Sequence, residues 1–104
     1  MKSPTNLSID AQAWWDKITQ EYGINDQAGL LLLQCALEAF DRMRQAQANI
    51  KEHGICIADR YSQLKSNPAC AVERDSRSQM MQALKSLNLD LEPLRDSQGR
   101  PPGV

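Results

Sequence analysis

"DQAGLLLLQCALEAFDRMRQAQANIKEHG", residues 26–54, decides the fold. Asp26 can cap a helix, and only Gly29 interrupts the run before His53 and Gly54 end it. The expected element is about 27 residues long, or about 40 Å at 1.5 Å per residue. Its second half is amphipathic: Ala36, Ala39, Phe40, Met43, Ala46 and Ile50 share an arc, while Glu38, Asp41, Gln45 and Glu52 face away. Glu38 and Arg42 stand at i,i+4 and suit an ion pair. In the first half Leu32 and Leu33 continue the arc, but Leu30, Leu31 and Leu37 project from it on other sides. A helix that is apolar nearly all round must be covered on every side.

Shorter elements flank it. Ser8 is a candidate N-cap, and Ala11, Trp14, Trp15, Ile18 and Tyr22 recur at helical spacing before Gly23 supplies a stop. Both tryptophans read as core. After Gly54, "ICIADRYSQLKSNP" changes period: residues 55–57 are β-compatible, 59–63 has turn character, and Leu64 with Lys65 can return as a second short strand. A small hairpin or ordered loop fits. A third helix starts at Asn67 or Pro68 and runs to about Leu87. Its core face is Ala69, Val72, Ser76, Met80, Ala83, Leu84 and Leu87, and the opposite face carries Cys70, Arg74, Arg77, Met81 and Lys85. The expectation is a mainly α, three-helix domain over residues 1–94, followed by a flexible Pro/Gly tail at 95–104.

Composition limits the functions open to such a chain. At 104 residues it is one domain with a modest core, which would gain from a partner. Hydrophobic residues at 41% and charged residues at 24% fit a folded chain rather than a disordered one. No apolar run reaches the roughly 18 residues of a membrane span, and "MKSPTNLSID" lacks the apolar stretch of a signal peptide, so a cytoplasmic location without membrane contact is expected. Three cysteines read as reduced thiols. His53 and Cys56 have ligand spacing, but Cys35 and Cys70 sit on separate helices, so no metal site is expected. One histidine and no Gly-rich phosphate loop leave neither a nucleophile-base pair nor nucleotide hydrolysis a handle, so neither catalysis nor a cofactor is expected.

A net charge of −1 and a pI near 5.7 exclude a generic basic nucleic-acid binder. The charge is uneven, however. Residues 1–52 hold seven acids and five bases, whereas residues 60–88 hold the five bases Arg60, Lys65, Arg74, Arg77 and Lys85 against Glu73 and Asp75. These five bases are the candidate DNA contacts. Along the third helix the same charges also suit a solvated face with local ion pairs or a contact between subunits. Cys70 and Met81, useless against a phosphate, favour the contact, and Arg60 and Lys65 are then the better DNA candidates. Leu30, Leu31, Leu37, Cys70, Arg74, Arg77 and Met81 form the expected oligomer interface.

"DRYSQLKSNPACAVERDSRSQMMQALKSLNLDLEP", residues 59–93, followed by "GRPPG", resembles the C-terminal signature of a family of phage terminase small subunits. "AQAWWDKITQEYGI" and "DQAGLLLLQCALEAFDR" are similar to that family's N-terminal half, so the resemblance spans roughly residues 7–103. Ser62 stands where the family commonly has glycine in the turn, and Ser66 where proline is frequent. The resemblance implies a non-enzymatic subunit that acts in the host cytoplasm during packaging of a tailed phage genome. It would assemble into a ring of more than four copies, bind viral double-stranded DNA where packaging starts, and hand it to the large ATPase/nuclease subunit, regulating that subunit. The alternative from the residues alone is a helical adaptor that binds another protein through the leucine-rich helix and does not bind DNA.

Overall fold

The computed structural model describes residues 2–88. Helix α1 spans Ile9–Tyr22, α2 Gln27–His53 and α3 Pro68–Ser86, with strands β1 Cys56–Ala58 and β2 Leu64–Ser66 between the last two. The expected three-helix, mainly α architecture is what forms. The expected boundary at residue 94 and the tail at 95–104 lie outside the described residues.

Each helix begins on a side chain that accepts from an otherwise unpaired backbone N–H. Ser8 Oγ accepts from Ala11 N at 3.1 Å, Asp26 Oδ2 from Gly29 N at 2.8 Å, and Asn67 Oδ1 from Ala69 N at 2.9 Å. Gly29 is required by its cap rather than by flexibility: a Cβ there would lie 2.8 Å from Asp26 Oδ1. Gly23, at φ 63°, ends α1 in the left-handed region.

Helix α3 returns antiparallel along α2. Their facing surfaces are built from small residues, with Ala39, Ala46 and Ser76 all buried, so the backbones can approach closely. Gln47 Nε2 donates to Glu73 Oε2 at 3.2 Å and Arg42 Nη2 donates to Gln79 Oε1 at 3.0 Å, which fixes the register. Helix α1 crosses the N-terminal half of α2, where Leu7, Ala11, Trp15, Leu33 and Leu37 form the core.

The structure corrects several of the expected burials. Leu37 does not project from the core: it is 4% exposed, because α1 covers the side of α2 that α3 leaves bare. Leu30 is half-buried against the same cluster, which leaves Leu31, 62% exposed, as the outward member of the trio. Glu38 and Asp41 lie off the apolar arc, as expected, and there meet the residues that lead into α1. Asn6 Nδ2 donates to Glu38 Oε2 at 2.9 Å, while Ser8 N and Oγ donate to the two Asp41 oxygens at 2.9 and 2.5 Å. Asp41 thus sits at the positive end of the α1 dipole and ties that helix to α2. On α1 itself Thr19 is buried and donates to Trp15 O at 2.8 Å, whereas Trp14 is 46% exposed and is not core. Val72, assigned to the inner face of α3, is also 46% exposed. Half-buried Glu73 turns toward α2 instead.

Candidate nucleic-acid interface

Between α2 and α3 the chain makes an antiparallel ribbon in which Cys56 pairs with Ser66, Ile57 with Lys65 and Ala58 with Leu64. An isolated two-stranded hairpin is marginal in water, so its ends need fixing. Asn67 does this at the base. Its Nδ2 donates to Asn49 Oδ1 and to Gly54 O, each at 2.9 Å, and its backbone N donates to Ile55 O at 2.8 Å. At the tip Asp59 Oδ1 accepts from Tyr61 N at 2.8 Å and from Gln63 N at 3.0 Å, while Asp59 O accepts from Ser62 N at 2.9 Å. Ser62 lies at φ 61°, a conformation that favours glycine.

The tip presents its side chains to solvent. The Arg60 guanidinium lies 5.3 Å from the centroid of the Tyr61 ring, a cation–π distance, and Tyr61 is 70% exposed. Lys65 is exposed on β2. Among the described residues neither Arg60 nor Lys65 is in an ion pair, and Lys85 on α3 is likewise exposed without one.

Arg74 and Arg77 differ. Arg77 is bonded to Glu73 one turn back through Nη2 and through Nε at 3.1 Å, and Arg74 Nε pairs with Asp75 Oδ1 at 3.1 Å. The Arg77 guanidinium, then the Gln47 amide, hold the Glu73 carboxyl below the usual range. The Asn6 and Gln34 amides do the same for Glu38, with Arg42 adding a smaller Coulombic pull. Local pairing on a solvated face thus describes the charges of α3 as they stand. Met81 is 59% exposed, and Cys70 is half-buried with Sγ 4.0 Å from Ile55 O.

The structure therefore separates the five candidate bases into two neutralised by neighbours and three that are not. It removes Leu37 from the surface available to a partner and leaves Leu31 and Met81 on it. It also shows exposed apolar groups that sequence reasoning did not assign, namely Ile55 and Leu64 on the ribbon, at 68% and 75%. Their signal was the lack of any helix period from residue 55 to 66. An apolar groove of about 350 Å³ opens between the helices, lined by Trp14, Ile18, Tyr22, Phe40, Met80 and Leu84 among others. No three His, Cys, Asp or Glu side chains converge as a metal site among the described residues. No described helix is long and apolar enough to cross a membrane.

No match was found among curated proteins or among solved structures. The family model for the phage terminase small subunit matches residues 11–95, which takes in all of α2, the ribbon and α3 and nearly all of α1, and the chain belongs to that family.

Proposed function

We propose that this chain binds viral double-stranded DNA at the packaging start site through its β-ribbon and delivers it to the large terminase subunit, which carries the ATPase and nuclease and is regulated by it. Family membership gives the chain a role in phage genome packaging, and such subunits are generally non-catalytic partners of DNA and of a large subunit. The observation that supports the DNA reading is the ribbon itself. Arg60 at the tip and Lys65 on β2 are exposed and in no ion pair among the described residues, on a ribbon that Asp59 fixes at the tip and Asn67 at the base. A two-stranded ribbon is narrow enough to enter the DNA major groove, and unpaired cations along it meet phosphates without first breaking ion pairs.

With so few bases, each copy binds weakly, and a closed ring of more than four copies gains strength by repetition. Binding falls with salt through counterion release. The test compares the full chain with an Arg60→Gln, Lys65→Gln double variant in duplex binding across a salt series. The expected result is weaker binding and a shallower salt slope, by about two phosphate contacts per copy. An unchanged affinity and slope in the double variant would remove the ribbon from the DNA interface.

A further inference from the structure

Trp14, 46% exposed, stands as a wall between two adjoining cavities. On one side is the apolar groove of about 350 Å³, where Ile18, Tyr22, Met80 and Leu84 leave room beside the indole. On the other is a cavity of about 430 Å³ whose lining includes Asp10, Lys17 and Arg44. Trp14 and Phe40 line both, so an apolar slot and a cationic pocket share a wall.

The charges are distributed to match. The slot holds one charged side chain, Glu21, and the pocket holds two cations against one acid. Asp10 lies in the first turn of α1, where the positive end of the helix offsets its charge. Lys17 Nζ is 5.1 Å from the Trp14 ring centroid, and Arg44 Nη1 donates to Gln47 Oε1 at 3.4 Å. Past Asp41, where Ser8 brings in the start of α1, this side of α2 is uncovered, with Arg44, Ala48 and Lys51 all exposed. Lys51 stands seven residues after Arg44, two turns along the same side and about 10 Å away by helix rise. Among the described residues none of Lys17, Arg44 and Lys51 is in an ion pair.

A concave, mainly apolar cavity of this size with a few polar groups at its edge has the usual form of a ligand site. The ligand that suits it has a flat apolar face next to an anionic group. Single-stranded nucleic acid has that form: bases stack on exposed aromatic rings while cations track the backbone. A paired base is closed to such a slot, because it is stacked within its own duplex. Glu21 supplies an acceptor for the exocyclic amine of cytosine or adenine.

We propose that this face of α1 and α2 is a second nucleic-acid site that takes single-stranded DNA, with an unpaired base stacked on Trp14 in the apolar slot and the adjoining phosphates on Lys17, Arg44 and Lys51. The run of three cations, longer than one nucleotide needs, favours a strand over a free nucleotide. The site shares no residue with the ribbon and holds whether or not the ribbon binds duplex DNA.

A stacked base quenches indole emission, so Trp14 reports occupancy. Titrating the full chain with oligo(dC) should quench its tryptophan emission. Trp14→Ala should weaken binding of the labelled oligonucleotide by about 5- to 150-fold, the loss expected when a stacking aromatic is removed. A Lys17→Gln, Arg44→Gln pair should make the salt slope shallower by about 1.4, at about 0.7 per phosphate contact on a single strand. The Arg60→Gln, Lys65→Gln ribbon variant should bind oligo(dC) as the parent does, which separates failure of this site from failure of the ribbon. Parent-like binding by both the Trp14 variant and the Lys17, Arg44 pair would overturn the proposal, and because both cations are exposed, the pair decides the matter even where Trp14→Ala unfolds the chain. Quenching by dCMP as strong as by oligo(dC) at equal nucleotide concentration would also overturn it, since the site would then take free nucleotides. So would an oligonucleotide without effect on a Trp14 that becomes accessible on dilution in step with a fall in mass, since a neighbouring copy would then be the occupant.

Discussion

Asn67, 4% exposed, caps α3 and also holds the end of α2 and the base of the ribbon through its side-chain amide. Losing a cap costs about 1 kcal/mol, and the two further hydrogen bonds, to Asn49 and Gly54, add about 0.5–1.5 kcal/mol each. Asn67→Ala should therefore lower unfolding free energy by about 2–4 kcal/mol in urea titration, well beyond the change made by Ala at exposed Asn25. Ser62 offers the opposite case. A non-glycine residue in the left-handed region costs about 1–2 kcal/mol, and glycine gives back about 0.5–1 kcal/mol in chain entropy. Ser62→Gly should raise stability by up to about 1 kcal/mol, and a loss in the same titration would contradict the strain read from its φ. Glu38 and Glu73 both titrate below the ordinary carboxylate range when folded. The stability they contribute is complete above the unfolded value of about 4.3 and is lost as pH falls through the lower folded values. Unfolding midpoints should drop below about pH 4, and Glu38→Gln should make that drop shallower.

At the scale of elements, what the sequence shows most clearly is where helices begin and end. Ser8, Asp26 and Asn67 each cap through a bond that needs only neighbouring residues, so the starts could be placed without tertiary knowledge. Burial could not be read as well, because a wheel drawn on one helix does not say how many neighbours cover it. Leu37 looks surplus to a single apolar arc and is core because α1 takes the second side of α2. Val72 and Trp14 fail the opposite way, their positions on the apolar arcs being left partly uncovered. The candidate bases were legible as residue types, and local pairing along α3 was one of the readings open to them, but only the structure shows that Arg77 takes Glu73 and Arg74 takes Asp75. The small-residue seam of α2 and α3 carries its own prediction. Ser76, 3% exposed, has no room for a larger side chain, so Ser76→Leu should cost about 1–3 kcal/mol, whereas Val72→Ser should stay within about 0.5 kcal/mol. Arg77→Gln releases a local ion pair on a solvated face and should leave DNA affinity near that of the parent, unlike the ribbon double variant.

As a whole the described chain is thin. Its extents are 54 × 41 × 19 Å, so its shortest dimension is less than two helix diameters of about 10–12 Å. Leu33 is the one large side chain that is fully buried among the described residues, while Leu31, Ile55, Leu64 and Met81 remain more than half exposed. Burying one such side chain is worth roughly 1.5–3 kcal/mol, so copies that covered these groups on one another would gain substantially, and repeated head-to-tail contacts would close into the proposed ring. On the proposed reading, repetition is also what would give a chain of net charge −1 enough cations on one surface to hold duplex DNA. The reading of this chain as a ring-forming DNA-packaging subunit thus rests on self-assembly. Mass by light scattering at tens of micromolar measures it directly: we expect one species of more than four times 11.7 kDa, and a monodisperse 11.7 kDa particle would contradict it.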